Sequence, residues 1–230
     1  MGPQEGYSPR TLRDVLWDTY YDLIPLITAN LLWVLLTLPV VTAFPAIAGL
    51  AYSANQIAKG KSVDWRTFFE GFKEHLGYSF KWGLLTLLGY AVLFISLSFY
   101  NAIEASWAVL LAGMMIGFII IWTIIQLYTL PLVFEQVDKS IKMALRNSLV
   151  LFLKRPLPTF GLMLGIFAIV AVTIILPPVV FVISPALIYY FINKNMLKSL
   201  HLFKQQAEAA PDTSAETPDT TATTEQPESE

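Results

Sequence analysis

The 230-residue chain contains no cysteine, which excludes disulfides, thiolate metal sites, a cysteine nucleophile and thioether-linked haem. Its only histidines, His75 and His201, lie in separate segments without an H-E-x-x-H pattern or a nearby carboxylate cluster. Phosphate loops of the G-x-x-x-x-G-K-[ST] type, G-x-G-x-x-G turns and G-x-S-x-G nucleophile elbows are also missing. We therefore predict no catalytic residue, no metal site and no cofactor, and we do not expect an enzyme.

Charge is scarce and unevenly placed. Charged residues make up 14% of the chain and hydrophobic residues 55%, against about 25% and about 45–50% in soluble domains. This excess of apolar side chains predicts an integral membrane protein. Residues 205–230 carry seven acids and no base, which leaves ten acids against fifteen bases in the rest, a net charge of +5. A basic body suits anionic lipid headgroups.

The two ends of the chain differ from the apolar body. Residues 205–230 contain no aromatic or large aliphatic side chain, so we predict a disordered acidic tail. Residues 1–22 lack a short apolar core followed by a small-residue cleavage site. We expect them to be an uncleaved cytoplasmic segment that precedes a membrane domain at 23–204.

Four uncharged runs predict the membrane helices, since about 20 apolar residues are needed to cross a bilayer. They are residues 23–58, 82–103, 105–134 and 156–193. The middle two predict one crossing each, joined by a turn around Asn101 and Glu104. The outer two are too long for one crossing and short for two.

Prolines divide the two outer runs near their centres. Pro177 and Pro178 form a pair that disfavours a continuous helix, and Pro39 and Pro45 flank Thr42 in the same way. We predict an all-α fold of about six membrane-inserted helices in three hairpins, inserted at about 23–58, 82–134 and 156–197. The alternative has five crossings, with the first run as a single kinked span.

Basic residues test this topology, because cytoplasmic loops are enriched in Lys and Arg. All fifteen lie in the N-terminal segment, in the two connections between hairpins and in the C-terminal segment, and none lies in the three outer turns. Six insertions with both termini in the cytoplasm place all fifteen there, and five crossings place thirteen. We therefore favour a multi-pass cell-membrane protein with both termini cytoplasmic.

Two connections have the pattern of interfacial helices. In residues 62–80 we expect Ser62 to cap a helix with one aromatic and apolar face, formed by Trp65, Phe68, Phe69, Phe72 and Leu76. In residues 136–155 the predicted apolar face is Val137, Ile141, Leu145 and Leu149. Because both connections lie between membrane insertions, we expect lipid or a partner protein against them, and no nucleic acid.

The apolar runs offer few candidate functional residues, because they contain no Asp, Glu, Lys, Arg or His. Asn30 and Gln126 are their main polar members, and we favour interhelical hydrogen bonding by Gln126 over contact with a substrate. For Pro39 and Pro45 a turn is favoured over a broken helix that binds substrate. Two G-x-x-x-G pairs, Gly113 with Gly117 and Gly161 with Gly165, predict close helix packing, within the chain rather than in a dimer.

The clearest motif is Asn30-Leu31-Leu32-Trp33, then Leu38-Pro39-Val40-Val41-Thr42, Pro45-Ala46, Gly49 and Tyr52, followed by Phe68-Phe69 and Phe72. With these residues the chain resembles the YesL-like family of bacterial polytopic membrane proteins, a domain of unknown function, over about residues 10–204. The candidate motif residues are thus Asn30, Trp33, Pro39, Thr42 and Pro45, together with Gln126.

The resemblance implies a bacterial cytoplasmic membrane and genes that often lie near carbohydrate importers of the ATP-binding-cassette (ABC) type. It supplies no catalytic or binding residues. Permease subunits of those importers carry a cytoplasmic E-A-A and Gly signature, and residues 135–158 depart from it because they contain no glycine. The expected function is a non-enzymatic accessory or regulatory partner of such an importer. The alternatives are a small-solute transporter or channel, and a membrane or lipid sensor.

Overall fold

The computed structural model describes residues 12–136 and 139–209, and this part of the chain is all-helical, which confirms the predicted class. A 3₁₀ turn at Val40–Thr42 separates the first two helices. The α-helices are α1 (Leu12–Thr37), α2 (Ala43–Ala58), α3 (Trp65–Glu74), α4 (Leu76–Asn101), α5 (Ser106–Phe134), α6 (Ile141–Lys154), α7 (Pro156–Ile175), α8 (Pro178–Val182) and α9 (Ser184–Ala209).

Helix α2 is the centre of the fold, although it has only 16 residues. It contacts α1, α3, α4, α5 and α9. Small side chains on several of its faces make this possible, since Ala46, Ala48, Ala51 and Ala54 are all fully buried. Residues of this size let neighbouring helices approach closely.

The first apolar run folds into two helices. Leu26 and Ala29 of α1 share a buried cluster with Leu50, Ala54 and Ile57 of α2, so the two helices run antiparallel. The chain reverses at Leu38–Thr42, where the proline spacing predicts a turn. Residues 23–58 therefore form a helical hairpin rather than one kinked helix.

The other two predicted reversals are also present. Helices α4 and α5 pack together across a connection at residues 102–105. Helix α7 ends at Ile175, and the short helix α8 begins at Pro178, where a missing N–H is tolerated because first-turn amides have no partner in the helix. The long return helix α9 begins only at Ser184.

Within the described residues, three helices, α4, α5 and α7, are long and apolar enough to cross a membrane, and the segment Asp22–Thr37 is a shorter apolar helix. The chain is thus a helical membrane protein. The number of insertions stays a prediction, because α2 and the apolar part of α9 are shorter than a full crossing requires.

The prediction for the C-terminal tail is partly wrong. Helix α9 continues to Ala209, so residues 205–209 are helical rather than disordered. Gln205, Gln206, Ala207 and Glu208 are compatible with a helix, and an ion pair between Lys204 and Glu208 supports the last turns. The remainder of the predicted tail lies outside the described residues.

The first interfacial helix differs from its prediction. Asp64, not Ser62, caps α3, because its carboxylate accepts the backbone N–H of Thr67 at 3.0 Å. Leu76 belongs to α4. Phe68 is fully buried against α2 at Gly49, so this part of the aromatic face packs on protein rather than on lipid.

The second interfacial helix is rotated relative to its prediction. Ala144, Ser148 and Leu151 form the buried face of α6, which packs on α5, whereas Leu149 is exposed. The small residues at 144 and 148 allow this close contact. Val137, from the predicted apolar face, lies outside the described residues.

The prediction that the G-x-x-x-G pairs pack within the chain is wrong. Apart from its chain neighbours and its own helix backbone, a Cβ atom added at any of the four glycines would meet no atom of the described residues within 4 Å (Gly113, Gly117, Gly161 and Gly165). The close approaches occur elsewhere, as at Gly71, where an added Cβ would lie 2.5 Å from the Cβ of Tyr52. Gly113 and Gly117 have no close neighbour on α5, and Gly161 and Gly165 border an open groove between α7 and α9 rather than a close helix contact.

Candidate functional site

Asn30 is fully buried and joins α1 to the proline-broken segment before α9. Its Nδ2 donates to the backbone carbonyls of Val180 at 3.0 Å and Phe181 at 2.9 Å. Its Oδ1 accepts the N–H of Ala186 at 3.1 Å. The ends of α8 and α9 leave backbone groups without helical partners, and Asn30 satisfies three of them. Its role in the fold is to stabilise this break.

The other members of the N-L-L-W and L-P-V-V-T motif shape the first hairpin. Trp33 is half-buried in the cluster between α1 and α2. The Thr42 backbone N–H donates to the Pro39 carbonyl at 3.0 Å, and its hydroxyl donates to the carbonyl of Leu36. Pro39 is exposed, whereas Pro45 is buried in the first turn of α2. These four residues therefore build a turn.

Gln126 lies apart from that motif, on α5. The Nε1 of Trp82, on α4, donates to its Oε1 at 3.1 Å, so it makes an interhelical hydrogen bond of the kind that the sequence suggests. Both side chains are buried. The Gln126 Nε2 is also buried and has no hydrogen-bond partner among the described residues.

A buried amide network lies at the end of the body where the basic residues collect. Asn55, fully buried on α2, donates to the Glu135 carboxylate at 2.9 Å and to the side-chain oxygen of Asn193, on α9, at 3.0 Å. Asn193 in turn donates to the carbonyls of Ala51 at 3.3 Å and Tyr189 at 2.8 Å. Helices α2, α5 and α9 are thereby joined at one point.

Charged groups surround this amide network. Lys59 forms an ion pair of 2.6 Å with Glu135, and the two side chains are 26% and 22% exposed. On the other side of α9, the Tyr190 hydroxyl donates to Asp22 at 2.6 Å, and the Lys194 ammonium lies 4.5 Å from the Tyr190 ring centre. The Lys59–Glu135 ion pair and the contacts of Tyr190 thus give each of these charged side chains a partner within the protein.

Sequence reasoning did not single out this network. The available signal was the presence of Asn55 and Asn193 at the ends of uncharged runs, close in sequence to Lys59 and Lys194. An amide at that depth needs a partner. Which side chain becomes the hydrogen-bond partner of each amide, however, depends on how its helix is rotated about its axis, and the sequence does not specify this.

His75 occupies the corner between α3 and α4 and is buried. Its Nδ1 lies 3.1 Å from the Gly71 carbonyl, and its ring packs on Phe134 and Tyr52 with centroid separations of 4.8 and 5.5 Å. Burial lowers the pKa of the imidazole below its ordinary value, and the charge of Lys139 adds to this effect. The neutral form is therefore favoured at pH 7.

The same corner holds an ion pair. Lys139 hydrogen-bonds to Glu74, which lowers the pKa of that carboxyl. No group of three or more His, Asp or Glu side chains in the described part of the chain is arranged to hold a metal ion. The corner thus ties the segment after α5 to the end of α3.

The long apolar helices and the buried polar contacts together define a class of protein: a helical membrane protein with an amide network and an ion pair at its basic end. Residues 26–97, which run from α1 into α4, match a family described as a protein of unknown function, DUF624. The YesL-like proteins belong to this family, so the resemblance seen in the sequence is confirmed over these residues, about a third of the chain. No curated protein and no solved structure matches the chain.

Proposed function

We propose that this protein is a non-enzymatic, multi-pass component of a bacterial cell membrane that assists or regulates an ABC-type carbohydrate importer through helix contacts. The class of partner comes from the YesL-like resemblance. The contact surface comes from the structure. These two parts of the proposal are tested separately below.

The observation that carries the proposal is the open glycine face of α5. Gly113 and Gly117 lie one helical turn apart, and added Cβ atoms would meet nothing within 4 Å among the described residues. The G-x-x-x-G spacing permits close approach of another transmembrane helix. Neighbouring side chains on this helix, Leu110 and Met114, are exposed as well. This surface therefore suits a helix from a partner subunit.

A second exposed surface belongs to α6. With Ala144 and Ser148 turned towards α5, the opposite side presents Met143, Leu153 and the basic residues Lys142 and Arg146. A helix with exposed apolar and basic residues can contact the cytoplasmic parts of a partner and the headgroup region at once. The exposed side of α6 therefore supports a role in assembly with a partner subunit.

We also propose the finer topology: six insertions in three hairpins, with both termini in the cytoplasm. It is supported by the antiparallel packing of α1 on α2 and by the breaks at Thr42 and Pro177. It is also consistent with the position of the amide network beside Lys59 and Lys194. In this topology the short α2 is inserted beside longer helices that shield it from lipid.

Purification of the protein from its native membranes in mild detergent tests the accessory role. We expect importer subunits, identified by mass spectrometry, to co-purify with the parent chain and to be lost with the double variant Gly113→Leu and Gly117→Leu. Ala91→Leu, which adds the same kind of bulk at an exposed site on α4, is the matched control. Recovery of no importer subunit above background contradicts the proposed partner. Equal recovery with all variants contradicts the proposed surface.

One observation favours the alternative of a transporter or channel. The Gln126 Nε2 and the Tyr78 hydroxyl are buried without partners among the described residues, and such groups can bind a polar solute. Proteoliposomes containing the purified chain would then take up a sugar faster than empty liposomes, and Gln126→Leu would reduce the rate. A sensor based on α3 is less favoured, because Phe68 is buried against α2.

A further inference from the structure

A groove of about 390 Å³ lies between α7 and α9, separate from the α5 surface. Gly161, Gly165 and Ile169 form one wall, and Phe191, Lys194 and Lys198 form much of the other. Hydrogen bonds join the two helices near both ends of the groove. The Asn195 Nδ2 donates to the Pro158 carbonyl at 3.2 Å, and the hydroxyls of Thr173 and Ser184 lie 2.7 Å apart. The gap is therefore a feature of the packed structure.

The α7 wall is shaped for a chain of methylene groups. Added Cβ atoms at Gly161 and Gly165 would meet nothing within 4 Å, and the next residue on this face, Ile169, is apolar. The strip from Gly161 to Ile169 is about 12 Å long at about 1.5 Å per residue. Since α7 is a candidate membrane span, this strip lies within the hydrocarbon region and can hold part of an acyl chain.

The basic side chains of the groove favour a ligand that carries a negative charge next to its acyl chain. The lining of the groove includes Lys194 and Lys198, one helical turn apart, and no acidic residue. Lys194 packs on Tyr190, which fixes its position, and Lys198 is exposed. Both lie towards the basic end of the body, and the adjacent cavity is lined by Lys154 and Arg155. Basic side chains near the membrane surface attract anionic headgroups.

We propose that the groove between α7 and α9 binds one anionic phospholipid, with its phosphate between Lys194 and Lys198 and an acyl chain along Gly161 and Gly165. From the membrane interior towards its surface, the groove has the apolar strip first and the two lysines second. An anionic phospholipid has its acyl chain and its phosphate in the same order. The site is independent of the proposed partner surface on α5.

Native mass spectrometry of the full chain in detergent, titrated with phosphatidylglycerol or phosphatidylcholine, tests the proposal. We expect phosphatidylglycerol to be retained at least tenfold more strongly. The double variant Lys194→Gln and Lys198→Gln should abolish that preference. Gly165→Leu should weaken binding of both lipids by filling the groove. The controls are Lys61→Gln with Lys142→Gln, which remove two exposed charges elsewhere, and Gly113→Leu on α5.

A soluble headgroup separates a lipid site from a phosphate site. Glycerol 1-phosphate at millimolar concentration should not displace phosphatidylglycerol, because it lacks the acyl chain. Displacement by glycerol 1-phosphate, equal retention of the two lipids by the parent chain, or unchanged binding by both groove variants would each overturn the proposal. Thermal unfolding of each variant in the same detergent verifies that it is folded, and Gly165→Leu provides a test that keeps both lysines.

Discussion

The side-chain oxygen of Asn30 accepts a hydrogen bond of 3.1 Å from the backbone N–H of Ala186, 156 residues further along the chain. The same side chain donates to the carbonyls of Val180 and Phe181. A motif residue of the first hairpin therefore stabilises the proline break of the last one. The two outer apolar runs are parts of a single structural unit.

Replacement of Asn30 by leucine should destabilise the protein strongly. Leu has the same number of side-chain heavy atoms and the same branching, but it leaves three backbone groups without partners in a buried place, each costing about 1–3 kcal/mol. We expect the unfolding free energy in detergent to fall by about 2 kcal/mol or more. Asn101→Leu, at an exposed position near the α4–α5 turn, is the control and should change it by less than about 0.5 kcal/mol. Similar stabilities for the two variants would contradict the assigned role of Asn30.

Much of the helical framework could be predicted from the sequence, because uncharged runs and prolines act locally. The runs at 82–103 and 105–134 mark α4 and α5, and the prolines mark both outer breaks. The long-range partners of Asn30 and Asn55 could not be predicted, since they lie more than 75 residues away and depend on how each helix is rotated. The face of α6 was mispredicted for a related reason: small residues, Ala144 and Ser148, form its contact, and hydrophobicity does not reveal them.

Gly71 and Gly77 differ in their tertiary surroundings, and this difference yields a second prediction. Gly71→Ala should destabilise the protein by about 1–3 kcal/mol, because the new Cβ would lie 2.5 Å from the Cβ of Tyr52, which no rotamer change can move. Gly77→Ala, in the first turn of α4 with open space around it, should be neutral or slightly stabilising. Thermal unfolding of both variants in one detergent measures the difference. Equal loss of stability would show that α3 does not pack on α2 as described.

The amide network should contribute more to stability than the ion pair beside it. Asn55→Leu removes hydrogen bonds to Glu135 and Asn193 and should cost about 1–3 kcal/mol. Lys59→Met removes only an ion pair whose side chains are 26% and 22% exposed, so about 0.5–1 kcal/mol is expected. A double-mutant cycle of Lys59→Met with Glu135→Gln should show coupling of that smaller size. Coupling larger than the cost of Asn55→Leu would reverse this ranking.

Stability should fall when the pH drops below the ordinary pKa of histidine, 6.5. The pKa of His75 is lower in the folded state, so the unfolded chain binds the proton more readily, and stability rises with pH in this range. The neutral His75 ring contributes fully to the free energy of unfolding above pH 6.5. This contribution is lost as the pH falls towards the folded-state pKa, by at most about 1.4 kcal/mol per pH unit. The groups that face the ring are Lys139, Glu74, Glu70, Tyr52 and Phe134.

The measurement compares thermal unfolding at pH 7.5 and pH 5.5 in the parent chain and in His75→Gln. The variant should lose most of the pH dependence in this window, because Glu74, with a lowered pKa, titrates at more acidic values. A variant that keeps the whole dependence would assign it to another group. His201→Gln, at an exposed position, is the control.

The absence of native cysteine makes the topology directly testable with single cysteines and an impermeant thiol reagent on intact cells. Val40→Cys in the first turn and Leu176→Cys before the proline pair are suitable sites, since the parent side chains are 80% and 54% exposed. With six insertions both should react, whereas Lys61→Cys and Thr11→Cys should react only after the cells are opened. Five crossings would instead place Val40 inside the bilayer and Thr11 outside the cell, so labelling at 11 without labelling at 40 would establish that alternative. Because α1 and α2 pack antiparallel around the turn at Val40, we expect position 40 to react at the outer surface.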